Sequence, residues 1–179
     1  MKKVYLVLTY TGTILAKIVR FYTKKEYSHV SIALDEQLNE MYSFGRLNPY
    51  NAFVGGFVHE YIDKGTFKRF YKTKATIYSI QITDEQYEKL IEIIHKFERK
   101  KELYSFNTIG LFAVALNKKW KKERSFYCAE FVKYALEHAD IKVDLPEIVK
   151  PDDFTYIENL EKIYTGYMQK YKETCINST

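Results

Sequence analysis

The stretch SFYCAEFVKYALEHA, residues 125–139, carries one of the chain's two cysteines, Cys128, at the start of a predicted amphipathic helix. Apolar side chains recur at intervals of three and four residues, which places them on one helix face together with Cys128. Ser125 is the predicted N-cap, since its hydroxyl can accept a backbone N–H of the first turn. Cys128 is therefore expected in that turn, where the helix dipole favours the thiolate.

An unpaired cysteine is either a small buried hydrophobic group or a nucleophile, and a nearby histidine distinguishes the two interpretations. His29 opens a predicted strand in which bulky apolar residues alternate with Ser31 and Ala33. The face with the small residues would let a cysteine-bearing helix approach closely. We therefore expect the imidazole of His29 to reach the sulfur of Cys128 and to stabilise the thiolate.

The other three histidines are weaker candidates. His95 lies on the flank of an apolar helical stripe, which is typical of a surface residue. His138 is near the end of the cysteine helix, where an imidazolium complements the helix dipole. His59 lies in a segment with two glycines, and the sequence leaves its role open.

Length and composition predict one domain, residues 1–179. Of these residues 46% are hydrophobic, and no Pro-, Gly- or Ser-rich linker divides the chain. No apolar run approaches the roughly 18 residues that span a bilayer, and the N-terminal run contains Thr9, Thr11 and Lys17 with no cleavage site after it. Two cysteines do not form a disulfide framework. We expect a cytoplasmic protein without a transmembrane segment.

The net charge and the number of metal-binding side chains limit which nucleic acids, metals or cofactors the protein is expected to bind. The net charge is +5, and the densest basic run, residues 118–124, is typical of a solvated loop. The basic and aromatic residues are not grouped into a known nucleic-acid-binding signature, so no nucleic acid is expected. Four histidines and two cysteines show no paired ligand spacing, so neither a metal nor another cofactor is expected. The oligomeric state is left open.

Periodicity along the chain predicts an α+β fold. Strands are expected at 2–10 and 75–82, helices at 11–23 and near 106–116, and a β-hairpin within 28–45. A helix at 83–101 begins with Thr83 as N-cap and Gln86 as its capping-box partner. Residues 46–61, with Asn-Pro and Gly-Gly, are expected to form a loop whose end could rejoin the sheet. After the cysteine helix, residues 144–154 connect to a predicted terminal helix within 152–171.

The pair YSHVSIALD (27–35) and FYCAEFVKYAL (126–136), with His29 and Cys128 separated by 99 positions, resembles the circularly permuted branch of the NlpC-type papain-like cysteine peptidases. In that branch the histidine hairpin precedes the cysteine helix, as it does in the lecithin retinol acyltransferase group. The resemblance covers most of the chain, including 42–60 and the KPDDF stretch at 150–154. It implies a papain-like α+β fold with a small antiparallel sheet packed against helices.

The resemblance also implies site roles. Cys128 would be the nucleophile, and His29 the general base that later returns a proton to the leaving group. The backbone N–H of Cys128 would be one oxyanion donor. Tyr127 would be a wall or a polar contact for the substrate.

A papain-like site needs a third polar group to orient the imidazole, and three residues compete for this role. If Leu34 pairs with Leu38 across a turn at 35–37, Ser43 faces His29. Glu40 is the only carboxylate on that strand but needs a one-residue change of register. Glu60 could come from the following loop or from a returning strand.

The implied reaction is attack on an acyl carbon of a small peptide or acyl substrate. The bond is an amide or isopeptide, for example in a cell-wall-derived peptide, or an ester. The segment 46–60 is the expected lid, in which Arg46 and Glu60 could bind a zwitterionic peptide end. Two alternatives are a catalytically silent peptide- or lipid-binding module and a lipid acyltransferase, for which an exposed apolar patch is expected.

Overall fold

The computed structural model describes residues 1–115, 118, 120 and 122–177. The fold is α+β, as expected, and is built on a six-stranded antiparallel sheet. Its strands are β1 (Lys2–Tyr10), β2 (His29–Ala33), β3 (Met41–Asn48), β4 (Asn51–Glu60), β5 (Lys74–Ile82) and β8 (Glu161–Tyr167), in the order β4-β3-β2-β1-β5-β8. Two short parallel strands, β6 (Ser105–Phe106) and β7 (Ser125–Phe126), form a second sheet.

Six α-helices accompany the sheets in the described ranges: α1 (Ile14–Thr23), α2 (Gly65–Arg69), α3 (Asp84–Arg99), α4 (Thr108–Ala115), α5 (Cys128–His138) and α6 (Met168–Asn177). Two 3₁₀ turns lie at Lys101–Leu103 and Pro151–Tyr156. Within these same ranges, no helix combines the length and the apolar character that crossing a bilayer requires.

The main sheet carries a separate core on each face, because successive side chains of a strand point to opposite sides. One core joins Val30 and Ile32 of β2 to α3 and α5. The other joins Ala33 of β2 to Phe67 of α2 and Met168 of α6. The cysteine helix therefore packs on the bulky face of β2, and the expectation that it approaches the face with the small residues is wrong.

A cluster of phenylalanines fixes α3 and α5 on the sheet. Phe131 of α5 lies 5.2 Å from Phe97 of α3, 5.3 Å from Phe44 of β3 and 5.5 Å from Phe57 of β4, measured between ring centroids. All four side chains are almost fully buried. Phe131 follows Cys128 by nearly one helical turn, so the same cluster that stabilises the fold holds the start of α5 in place.

Most predicted elements are confirmed. These are the strands at β1 and β5, the β2–β3 hairpin and the helices α1, α3, α4 and α5. The capping box of α3 is present, because Thr83 accepts from the backbone of Gln86 and the Gln86 side chain accepts from the backbone of Thr83. The helix near 106–116 begins after Asn107, whose side chain caps it by accepting the N–H of Gly110.

The loop predicted at 46–61 is wrong for most of its length, since β3 and β4 pair there as a second hairpin, while the expectation that its end rejoins the sheet is confirmed. The glycines that suggested a loop serve a close approach instead. A Cβ on Gly55 would lie 2.7 Å from the carbonyl oxygen of Gly45 and 2.8 Å from the Cβ of Phe106. Gly55 therefore lets β6 pack against the hairpin, a contact that no local pattern reveals.

The terminal helix predicted within 152–171 is also wrong. Residues Pro151–Tyr156 form a 3₁₀ turn, and β8 pairs with β5, placing Tyr164 opposite Ile77, before α6 begins. The spacing of apolar residues was compatible with a helix. Backbone groups on the outer edge of β5 need hydrogen-bond partners, and β8 supplies them. Residues 161–167 therefore form a strand because they pair with β5, which is distant in the sequence.

Candidate active site

Cys128 is the first residue of α5, and its Sγ-bearing side chain is only 2% exposed. The N-cap is Tyr127, whose side chain makes no capping hydrogen bond. Ser125 is not the N-cap, because it lies in β7 and its hydroxyl bonds to Ser105. The first N–H groups of a helix have no intrahelical acceptor. The N–H groups of Cys128 and Ala129, in the first turn of α5, are therefore available to donate to a negatively charged oxygen.

His29 lies at the other side of this junction, at the first residue of β2. Although α5 packs on the opposite face of β2, His29 is at the end of the strand and Cys128 is at the end of the helix. Both residues line the same cleft, and the negative charge of Cys128 contributes to the raised pKa of His29. The side chain of His29 is 17% exposed.

Glu60, the last residue of β4, holds the other side of the ring. The Nε2 atom of His29 lies 3.1 Å from Oε1 and 3.2 Å from Oε2 of Glu60. Between them runs β3, where Gly45 lies next to both side chains. A Cβ on Gly45 would lie 3.5 Å from Cε1 of His29 and 3.6 Å from Oε1 of Glu60. The third residue of the site is thus Glu60, one of the three residues that the sequence left open for this role.

A serine that sequence reasoning missed completes the network. The Ser31 hydroxyl donates to Oε2 of Glu60 at 2.5 Å and lies 3.2 Å from Nε2 of His29. Ser31 is fully buried. The available signal was its position two residues after His29, which puts both side chains on one face of β2.

The other two proposed partners of His29 lie elsewhere. The β2–β3 connection is longer than expected, closed by a hydrogen bond from Leu34 N–H to the carbonyl of Glu40, and it pairs Ile32 with Tyr42. Ser43 instead donates its hydroxyl to the carbonyl of Val30. The carboxylate of Glu40 accepts from the hydroxyl of Tyr42. The structure therefore brings neither Ser43 nor Glu40 to the imidazole.

The electrostatics of the site favour a charged imidazole. Burial by itself would lower the pKa of His29, but the negative charges of Glu60 and Cys128 and hydrogen bonds to both outweigh burial. The pKa of His29 is therefore raised well above its ordinary value. A protonated imidazole between a carboxylate and a thiol stabilises the thiolate, which is the nucleophilic form of cysteine.

The site opens into a small cleft of about 70 Å³. This volume admits only a few water molecules. Its polar lining includes Thr13, His29, Arg46, Glu60 and Cys128.

Of the residues expected to bind substrate, Arg46 and Glu60 are in this lining and Tyr127 is not. Tyr127 is buried, and its hydroxyl donates to the carbonyl of Val149 at 3.2 Å. Burial raises the pKa of this phenol, with smaller contributions from Glu130 and Cys128. The structure thus gives Tyr127 the position of an anchor for the start of α5.

Asp152 supports the site from a distance. Its carboxylate accepts the backbone N–H of Glu26 at 2.9 Å and of Tyr27 at 3.0 Å, and it is 8% exposed. These two N–H groups belong to the turn that enters β2. Asp152 follows α5 in the chain, so it ties the segment after the cysteine helix to the segment before His29.

Replacing Asp152 by alanine is expected to lower the free energy of unfolding by about 2–4 kcal/mol, because the buried N–H of Tyr27 and the partly buried N–H of Glu26 lose a charged acceptor. Urea unfolding followed by circular dichroism measures the loss. The matched control is Asp144→Ala, which removes an exposed carboxylate and should change stability by less than about 0.5 kcal/mol. Equal stability of the two variants would contradict the role of Asp152.

Comparison with solved structures supports the α+β fold. No protein-family model and no curated protein sequence matches the chain. Among solved structures, the metalloprotein YiiX from Escherichia coli has a similar fold, with a TM-score of 0.55 over 93% of this chain and 98% of that chain. The two sequences are 13% identical. This likeness supports the α+β architecture and assigns no activity to the chain.

Proposed function

We propose that the protein is a cysteine hydrolase that cleaves an amide or ester bond through a covalent acyl-enzyme. The observation that carries the proposal is the position of His29, whose ring contacts the carboxylate of Glu60 and lines the same cleft as Cys128 at the start of α5. A nucleophile, a base and a group that orients the base are the three components of this chemistry.

The first half-reaction forms a thioester. The Sγ of Cys128 attacks the acyl carbon after its proton has passed to His29, and the carbonyl oxygen becomes an oxyanion. The N–H of Cys128 donates to that oxygen. When the tetrahedral intermediate collapses, the bond to the leaving amine or alkoxide breaks, and His29 protonates the leaving group.

The second half-reaction releases the acid. A water molecule loses a proton to His29 and attacks the thioester carbon, and the C–S bond breaks to regenerate Cys128. Throughout, Glu60 accepts a hydrogen bond from Nε2 of His29, which leaves Nδ1 as the nitrogen that exchanges protons with the thiol. Glu60 is therefore a positioning residue.

The chain order supports a permuted papain-like arrangement as part of this proposal. The hairpin with His29 precedes the helix with Cys128, as in the branch of cysteine peptidases that the sequence resembles. The structurally similar YiiX is described as a metalloprotein. In the described part of this chain, no three His, Cys, Asp or Glu side chains are grouped so as to hold a metal ion, and the proposal uses the thiol and imidazole.

A lipid acyltransferase is the second candidate, because apolar side chains are exposed on two of the helices that line the cleft, α1 and α4. Ile14 and Phe21 of α1 are 79% and 76% exposed, and Ile109 of α4 is 62% exposed. Thr13, next to α1, and Leu111 of α4 line the cleft. Such side chains could enter a bilayer surface, and the thioester would then pass its acyl group to a lipid instead of water.

The test is a screen of peptide amides and acyl esters, with and without phospholipid vesicles, in which mass spectrometry follows products and the acyl adduct on Cys128. Cys128→Ala is expected to lose at least about 10³-fold in rate. Cys175→Ala is the matched control and should keep the activity. Turnover that survives in Cys128→Ala would overturn the proposal, and ligand binding without an adduct would favour the binding module.

A further inference from the structure

Arg46 of β3 is a cation that lines the same cleft as Cys128, and no carboxylate of the described residues forms an ion pair with it. It is only partly exposed, and its Nη2 donates to Oγ1 of Thr13 at 3.0 Å. Thr13 is the N-cap of α1 and is itself buried, so the contact holds the guanidinium at the cleft wall. The hydroxyl of Thr13 is neutral and leaves the charge of Arg46 uncompensated.

A second cation, Arg69, lies close enough to Arg46 to affect its ionisation. Burial and then the charge of Arg69 lower the pKa of Arg46. Arg69 stacks over the ring of Tyr50 at 3.9 Å and donates to the carbonyl of Pro49 at 3.0 Å. Both guanidinium groups therefore have neutral partners. For the partly buried Arg46 this arrangement is unfavourable, because removing a cation from water costs free energy unless an anion pairs with it.

Other cations of the protein contrast with this pair. Lys3 is paired with Glu161, Lys89 with Glu85 and Asp140, and Lys172 with Asp63, all at the surface. No carboxylate in the described part of the chain is paired with Arg46 or Arg69. Glu60, which shares the cleft with Arg46, is bonded to His29 and Ser31.

We propose that the cleft takes substrates with an oxyanion, a carboxylate or a phosphate, close to the scissile acyl group, and that Arg46 binds this oxyanion. The guanidinium matches both anions through paired N–H donors. The size of the cleft agrees with one small charged group next to the thiol. This inference rests on the proposed function, because it names the substrate class of the same site.

Two alkylating reagents that differ only in charge test the proposal without a known substrate. Iodoacetate carries a carboxylate next to the carbon that Cys128 attacks, and iodoacetamide carries a neutral amide there. At constant ionic strength near neutral pH, Arg46→Gln is expected to lower the ratio of the iodoacetate rate to the iodoacetamide rate at Cys128 on the order of fivefold. Arg46→Lys should restore part of the ratio.

Lys68→Gln is the matched control, because Lys68 is an exposed cation of α2 outside the cleft lining. Its ratio should equal that of the wild type. A ratio that is the same in wild type, Arg46→Gln and Lys68→Gln would overturn the inference and leave the hydrolase proposal in place. Failure of both reagents to label wild-type Cys128 below pH 7 would instead overturn the hydrolase proposal.

Protection experiments distinguish the two oxyanions. Inorganic phosphate or acetate, compared with chloride at the same ionic strength, is expected to slow alkylation of Cys128 by iodoacetamide in the wild type. The protection should be lost in Arg46→Gln. The anion that protects at the lower concentration identifies the group, and protection by neither anion would contradict the inference.

Discussion

Alkylation of Cys128 by iodoacetamide is expected to vary by less than about threefold between about pH 6 and about pH 8 in the wild type, because the proposed mechanism pairs an imidazolium with a thiolate. In His29→Ala the rate should instead fall about tenfold for each pH unit below 8.5, the pKa of an ordinary thiol. At pH 6 that decrease is about 300-fold from the plateau. Mass spectrometry reads both cysteines separately, and Cys175 serves as the internal reference.

The dependence of the alkylation rate on pH is more informative than the rate itself. A thiolate with a lowered pKa is present in a larger fraction but is a weaker nucleophile, so the two effects partly cancel in the absolute rate. Circular dichroism establishes that His29→Ala is folded. Identical profiles for the wild type and His29→Ala would mean that Cys128 is a packing residue.

For a second variant, Glu60→Gln, the direction of the change in the pH–activity profile can be predicted. The charge of Glu60 helps to raise the pKa of His29 against the opposing effect of burial, so removing it lowers that pKa. The imidazolium is then lost at a lower pH, and the alkaline limb of any Cys128-dependent activity should move to lower pH. The stability contributed by protonated His29 is complete below about pH 6.5 and is lost as pH rises through the raised value. A limb that does not move would contradict the positioning role of Glu60.

Phe131→Ala is expected to lower the free energy of unfolding by about 3–5 kcal/mol, the largest stability effect that we predict. Phe131 is fully buried and contacts rings from α3, β3 and β4. Its removal deletes aromatic contacts and leaves a cavity beneath the start of α5. Denaturant unfolding, with the slope compared between variants, measures the change.

The matched control is Phe21→Ala, in which the ring is 76% exposed and little stability should be lost. If Phe131→Ala does not fold, Phe131→Leu keeps most of the volume and should give a smaller but measurable loss. A loss below about 1 kcal/mol in Phe131→Ala would show that the aromatic cluster does not hold α5.

Local patterns were sufficient for elements whose signals lie within one segment. The capping box at Thr83 and the spacing of apolar residues in α3 and α5 depend on neighbours along the chain, and these helices were predicted close to their observed bounds. The hairpin containing His29 was predicted for the same reason, through alternation of bulky and small residues.

Local patterns failed where a distant segment decides. Gly55 is typical of a loop, yet it lies in β4, where the absence of a side chain lets the distant Phe106 pack directly against the strand. Residues Glu161–Tyr167 are compatible with a helix, yet they form β8 because β5 offers an edge. In both cases the stabilising hydrogen bonds or contacts come from residues far away in sequence, which propensity does not include.

Helix and strand periodicity and the chemistry of His29 and Cys128 are local properties, so they were enough to predict the α+β class and to identify these two residues. That Glu60, rather than Ser43 or Glu40, contacts the imidazole depends on contacts between distant segments. The reason is the register of the strands. The β2–β3 connection is longer than predicted and shifts the pairing of β2 with β3, and β4 then places the carboxylate of Glu60 next to His29, beside Gly45.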